Sequence, residues 1–484
     1  MSRRHFLSTL ALLPATALAD SNTARLFHAA LARDPSLVVV ADTRASQAGS
    51  ARVSGRLPAD LHGQFYRNGP GRMELGGERY HHWFDGDGFA QCWRIGDGKV
   101  AHQGCFVATQ KFTEESAAGQ FLYPAFGTHI DRRAVKNNDT MNAANTNLLP
   151  FAGKLYALWE GGSAVELAPA TLATVGLKTW REDLRAMPFS AHPKIDQDGS
   201  LWNFGALPGA DRLALYQVGA DGALRRAAAV DVPQLAMVHD FAISERHLVF
   251  LVAPYDFSSD PTRSFAERHQ WNPARPLRAI VIAKSSLAVV RTFELPPRSV
   301  FHFGNAYDDG RQLRFDAILH QGDAIAAVGQ VMAGQRPAAG RAATTAISLD
   351  LDSGAVHEAV LLAGGEFPRV MPQVVGRRHR RLAVVSSSPG QTVLDTVNLV
   401  DTDQGRADSF TFDAGWVAEE HLLLPRRNAR HERDGYLVGV VQDTVRAVSA
   451  LTVFDCARIA DGPVAMARLA YRTPHCFHGN FLPT

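Results

Sequence analysis

"LALYQVGADGALRRAAAV", residues 213–230, sets two apolar runs on either side of Asp221-Gly222. Asp-Gly suits a two-residue hairpin turn because both central positions take a positive φ there, so the stretch reads as two antiparallel strands. The same texture recurs down the chain in "HLVFLVAPYD" (247–256), "AIVIAKSSLAVVRTFEL" (279–295), "RLAVVSSSPG" (381–390) and "YLVGVVQD" (436–443). Ser353-Gly354 and Gln404-Gly405 fall between apolar runs as hairpin connections should. Helical periodicity is nearly absent beyond residue 50. Many short strands predict an all-β barrel, sandwich or propeller. No Pro/Gly/Ser-rich linker divides residues 50–484. That length exceeds one sandwich and fits a propeller of four-stranded blades, although no clean sequence repeat marks them.

Upstream the character differs. "MSRRHFLSTLALLPATALAD" sets Arg3 and Arg4 before an apolar run that ends in Ala17-Leu18-Ala19. This predicts a secretory signal over residues 1–19, too short to span a bilayer. Ser2-Arg3-Arg4-His5-Phe6-Leu7 resembles a twin-arginine export address, which implies the twin-arginine machinery as a partner and a periplasmic protein that crosses folded. Residues 20–49 carry Leu26, Phe27, Ala30 and Leu31 at helical spacing, with Asn22 as the expected cap. The formal charge of +2 falls to 0 once residues 1–19 are removed. A neutral chain argues against nucleic-acid binding. Cys92, Cys105, Cys456 and Cys476 form no CxxC pair and are expected as free thiols.

Of 19 histidines, four lie in strings of unusual character: His192 in "FSAHPKID", His239 in "MVHDFAIS", His302 in "VFHFGNAYDDG" and His478 in "CFHGNF". Their separations exclude a one-helix metal motif. In a propeller, however, residues from distant blades meet at the axis, and neutral imidazole is the commonest metal ligand. Spacing alone leaves each of them open to a plain structural role.

Nine motifs in order decide between these readings: "GQFYRNGPGR" (63–72), "HHWFDGDGF" (81–89), "ANTN" (144–147), "YALWEGG" (156–162), "AHPKID" (191–196), "MVHDFAI" (237–243), "FHFGNAYDDG" (301–310), "GEFPRV" (365–370) and "CFHGNF" (476–481). From about residue 50 onward the sequence resembles the carotenoid cleavage oxygenase family. The resemblance implies a seven-bladed β-propeller with a dome of loops and short helices over one face. It implies Fe(II) held by His192, His239, His302 and His478, with Glu160, Glu366 and Glu420 behind them. At the last position the family's Glu-Pro pair has become Glu420-His421. Carboxylates there would offset the ion's charge and fix each ring's tautomer. Thr146 matches a threonine whose methyl group crowds an open coordination position.

The implied reaction is oxidative cleavage of a conjugated C=C bond by dioxygen to two carbonyl products, with no nucleophile triad needed. The implied partners are a small hydrophobic substrate and O2, with peripheral membrane contact left open. Phe106, Phe121, Tyr123 and Phe126 are the expected tunnel residues. Stilbene cleavers of the family grip a phenol with a tyrosine and a lysine. Phe106, which has no hydroxyl, stands at the tyrosine's place, so an apocarotenoid-like polyene is the expected substrate. Alternatives are lignostilbene-type cleavage, retinoid-like isomerisation and a non-catalytic lipophile-binding metal propeller. Strand alternation sets Cys476 on the face of His478, which leaves it either to approach the metal or to pack beside it, and His475 on the opposite face.

Overall fold

In a computed structural model of the protein, residues 15–43, 46–335 and 342–484 are described, and most of the predicted signal lies outside them. Seven antiparallel sheets form the blades of a propeller. Blades 2 to 6 each take four strands in chain order, beginning at Asn147–Phe151, Lys194–Ile195, Phe241–Ile243, Ser299–Asp309 and Glu366–Arg369, with a separate hairpin, Tyr255–Phe257/His269–Trp271, inserted between the second and third strands of blade 4. Each of these first strands is the innermost of its blade. In blade 4 the strand His247–Val252 is buried at every position, because neighbouring blades cover both faces of a sheet. That is why these strands read as unbroken apolar runs. The core is correspondingly divided into one apolar cluster between each neighbouring pair of blades, plus one beneath the dome.

Both chain ends close the ring. Blade 1 holds Gln47–Ser50, Lys99–Phe106, Asp87–Gly96 and Gly63–Arg72, and its innermost strand is the C-terminal His478–Pro483. That strand runs antiparallel to Gly63–Arg72, with Asn68 opposite His478 and Gly63 opposite Pro483. Blade 7, whose innermost strand is Trp416–Pro425, takes its outermost strand, Arg52–Gly55, from near the N terminus. The blades are therefore bound 1 to 7 by both tails. At Gly479 the packing leaves no room for a side chain, since a Cβ there would lie 2.0 Å from the Tyr66 carbonyl oxygen.

The dome is built from helix α1 (Ala15–Leu31), helix α2 (Gln110–Ala118), helix α3 (Ala324–Met332) and the hairpin Glu74–Leu75/Glu78–Arg79. Phe27 of α1 is fully buried, with the Arg79 guanidinium 3.4 Å above its ring. Two details differ from expectation. Helix α1 already runs through Asn22, so Asn22 is an interior residue that accepts from Arg25 at 2.6 Å and not a cap. The alanine-rich upstream residues propagate the helix past it. The helical segment also ends earlier than residue 49, with a single 3-10 turn at Pro35–Val40 and strand from Gln47. All four cysteines are free thiols.

Candidate metal centre

His192 and His239 lie just before the innermost strands of blades 3 and 4, His302 lies within that of blade 5, and His478 begins that of blade 1. The four buried rings meet at the axis, with one donor nitrogen of each within 4.8 Å of all the others. Successive Nε2 atoms are 2.9 Å apart from His192 to His239, 3.2 Å from His239 to His302 and 3.1 Å from His302 to His478. Two ligands about 2.1 Å from a shared ion and at right angles stand about 3 Å apart, so this spacing suits one metal ion.

The inner strands bend to make this arrangement. The strand carrying His302 shifts register between Val300 and Phe303 and again before Ala306. In blade 7 the break falls between Ala418 and His421, so Glu419 and Glu420 occupy a bulge and both are buried. Blade 6 breaks after Glu366, where Gly365 has φ +120° and a Cβ would lie 2.5 Å from Thr344 Oγ1.

Three rings turn Nδ1 to a carboxylate. His239 pairs with Glu160, His302 with Glu366 at 2.6 Å and His478 with Glu420 at 2.9 Å. Each Nδ1–H is spent on its carboxylate, so the Nε2 lone pairs converge and repel unless a cation lies between them. His192 has no glutamate, and its Nδ1 is 3.9 Å from Asp240, which itself pairs with Lys194 at 2.7 Å. Of the carboxylates around the site, Glu419 and Glu420 face Arg67 at 3.0 and 2.7 Å, and Glu420 also faces Arg369 at 2.8 Å. Glu160 and Glu366 pair with no Lys or Arg among the described residues, only with imidazoles and, for Glu366, the Phe367 backbone amide. Two carboxylates without a Lys or Arg partner thus stand behind converging imidazoles, an arrangement that suits a divalent ion.

Protonation follows from these contacts. Burial, and then the other three rings, pulls His192 well below the ordinary imidazole value. Burial takes His478 down to about 3 despite Glu420. Burial, the largest effect, would lower His239, but Glu160, Asp240 and Glu366 together move it up. Burial alone would raise Glu366, yet His302 and His320 hold it well below the carboxylate range. Arg369, His478 and Arg67 do the same for buried Glu420.

The site opens on a cavity of about 580 Å³ lined by aromatic and aliphatic side chains, with polar ones at Gln321, Asp323 and the loop 387–392. Trp83, Phe84, Phe126, Trp159, Phe301, Phe367 and Phe477 surround the metal end, and the side chains of α3 and the loop 387–392 lie along the rest. Thr146 lines the cavity, and its hydroxyl donates to Asn145 Oδ1 at 3.0 Å, which leaves the methyl group free to face inward.

The expected tunnel residues separate. Phe126 lines the cavity. Phe106 instead stacks on Phe112 with ring centroids 4.8 Å apart, Phe121 stacks on Tyr80 at 3.9 Å in the dome core, and the Tyr123 hydroxyl pairs with Glu114. None of these three is among the lining residues. Their segments carry the aromatics that fasten the dome to blade 1. The opposite-face expectation for His475 also fails. Residues 472–477 are not strand, so alternation does not apply, and His475 is buried in the cavity wall. The Cys476 thiol accepts from Gln91 Nε2 at 2.9 Å, away from the four rings. The sequence reading also missed His320, whose Nε2 meets Glu366 at 2.6 Å, and Asp240. Asp240 adjoins His239 in its motif and could have been noticed; His320 stands at a strand end with no local signal.

The Retinal pigment epithelial membrane protein family model matches residues 41–483. The apocarotenoid-15,15'-oxygenase of Synechocystis is 29% identical over 89% of this chain and 92% of its own length. The lignostilbene-alpha,beta-dioxygenase isozyme III of Sphingomonas paucimobilis is 27% identical over 89% of this chain and 92% of its own. A cobalt-substituted structure of the Synechocystis apocarotenoid oxygenase superposes with a TM-score of 0.83 at 26% identity, covering 93% of this chain and 99% of that one.

Proposed function

This chain belongs to the Retinal pigment epithelial membrane protein family, the carotenoid cleavage oxygenases, and from that premise we propose that it is an Fe(II) dioxygenase cleaving a conjugated C=C bond of an apocarotenoid-like polyene. The observation that carries the reading is the convergence of four buried imidazoles, backed by two carboxylates without a Lys or Arg partner, at the aromatic-lined end of a cavity. When bound, ferrous iron would supply the activation of dioxygen for addition to an alkene. His192, His239, His302 and His478 would hold it, and Glu160, Glu366 and Glu420 would fix three of their rings. The Thr146 methyl narrows the approach to the site. Phe84, Phe301 and Phe367 pack around the rings, keep bulk water out and bring an apolar substrate to the metal end.

A polyene is favoured over a phenol because no tyrosine, lysine or arginine among the described residues lines the cavity. The test is iron analysis of the purified protein with cleavage products followed under labelled dioxygen, using a panel of apocarotenals and hydroxystilbenes. Label in both carbonyl products of an apocarotenal is expected. Stoichiometric iron without cleavage of any member would refute the reading. Cleavage of the stilbenes alone would move it to the lignostilbene type, and isomerisation without label would move it to the retinoid type.

We also propose export by the twin-arginine route, on the strength of Arg3-Arg4 and the apolar run that follows. Cell fractionation with Arg3→Lys and Arg4→Lys together should shift the protein from periplasm to cytoplasm; an unchanged distribution would sink the proposal. No described helix is long and apolar enough to cross a membrane.

A further inference from the structure

His475 is a buried polar side chain that the reading above does not use. It lines the cavity three residues before the ligand His478, and its ring tilts against Trp83 with centroids 5.2 Å apart. Trp83 packs edge-on to Phe477, and Phe477 packs edge-on to Phe84, which stacks on His239. His475 therefore belongs to the metal end of the cavity, not to the polar loop 387–392. Its Nδ1 has no hydrogen-bond partner among the described residues, and the nearest acid is Glu419, 3.9 Å away at Oε1. Burial, with Arg67 and Arg472 nearby, pulls the ring down to about 3, so it is neutral and carries one N–H and one lone pair. Glu419 contacts Arg67 and accepts from Gln442 through Oε1, while burial raises its carboxyl above the ordinary value. The atom nearest Nδ1 is thus an acceptor oxygen, which favours the tautomer with the proton on Nδ1 and leaves Nε2 as an acceptor on the cavity side.

We infer that His475 reads the substrate by accepting a hydrogen bond at Nε2 from a hydroxyl group carried near the scissile double bond. A buried acceptor left unmatched in an apolar cavity disfavours substrates that lack the hydroxyl, so one ring sets selectivity without touching the chemistry. The inference rests on the proposed alkene cleavage for its substrate class. It also departs from the phenol grip expected of stilbene cleavers, because the polar partner is a neutral imidazole on the wall of the metal end.

The experiment compares 4-hydroxystilbene, whose hydroxyl lies one ring from the double bond, with 4-methoxystilbene and unsubstituted stilbene, and a short apocarotenal hydroxylated beside the cleaved bond with its O-methyl ether and its unsubstituted parent. Binding is read by tryptophan quenching and turnover by KM and kcat. The metal-loaded wild type should favour the hydroxylated member of a series by roughly five- to tenfold in KM and in binding. His475→Phe should abolish that preference while keeping metal content, and His475→Gln, which retains an acceptor, should keep it. Equal discrimination by wild type and His475→Phe, or no discrimination by either, overturns the inference. A preference for a carbonyl-bearing analogue that depends on His475 would make the ring a donor and overturns it as well. Because binding is scored separately, a protein that binds selectively and cleaves nothing defeats the proposed activity and leaves this inference standing.

Discussion

The charge around the four rings is decided residue by residue. Arg67 and Arg369 answer Glu419 and Glu420, and Lys194 answers Asp240, which leaves Glu160 and Glu366 to balance the ion. Removing one of those two charges without changing shape should act on the metal directly. Glu160→Gln is expected to weaken metal affinity by roughly 10- to 100-fold with little change in the fold, measured by competition against a chelator of known strength. An affinity equal to wild type would show that the carboxylate does not act on the metal. The same logic separates neighbouring histidines in the tail. His478→Ala removes a converging nitrogen and should leave substoichiometric metal after dialysis. His475→Ala should keep full metal content, since its ring is not one of the four. Equal metal loss in both would dismantle the ligand assignment.

At the scale of elements, the tail strand His478–Pro483 is both the inner edge of blade 1 and the carrier of a ligand. Deleting residues 475–484 should therefore do two things that His478→Ala alone does not. It strips the backbone partner of Gly63–Asn68 and reopens the ring, so the melting temperature should fall well below that of metal-free His478→Ala. Coincident melting of the two metal-free proteins would mean that the strand contributes nothing beyond its histidine. Elements also explain where strand logic breaks down. Period-2 alternation cannot tell Glu419 from Glu420, because a bulge buries both: one serves Arg67 and Gln442, the other His478. Nor can it orient His475, which precedes the strand it was read into.

At the scale of the whole molecule, the start of each innermost strand delivers one residue to the axis. Blade 1 gives His478, blade 2 Thr146, blades 3 to 5 His192, His239 and His302, and blades 6 and 7 Glu366 and Glu420. That ring explains what was legible in the sequence. The strands announce themselves because each blade buries both faces, and the axial residues stand in motifs because every blade repeats the same job. The cavity wall was not legible. Phe84, Phe301 and Phe367 are brought together from three distant segments, whereas Phe106 and Phe121, more prominent locally, are consumed by packing the dome. Burial on this scale also sets the response to acid. Burial holds His82, His269 and His421 down at about 4 and His102 at about 3. His82 shows why: its Nδ1 accepts from Phe84 N at 3.1 Å while Nε2 donates to the Ile325 carbonyl at 3.0 Å, so the folded state needs it neutral. The unfolded chain protonates each near pH 6.5, so between about pH 6.5 and 4 it binds more protons than the native state, and stability is lost as the pH falls through that range. Each such histidine contributes a slope of up to about 1.4 kcal/mol per pH unit. Asp85, pushed up to about 6 by burial, works the other way and offsets about one of them. Urea midpoints measured from pH 7.5 to 4.5 should therefore decline steadily below pH 6.5. Equal midpoints at pH 7 and pH 5 would mean that these imidazoles are protonated or exposed in the native protein, which the packing beneath the dome and between the blades does not allow.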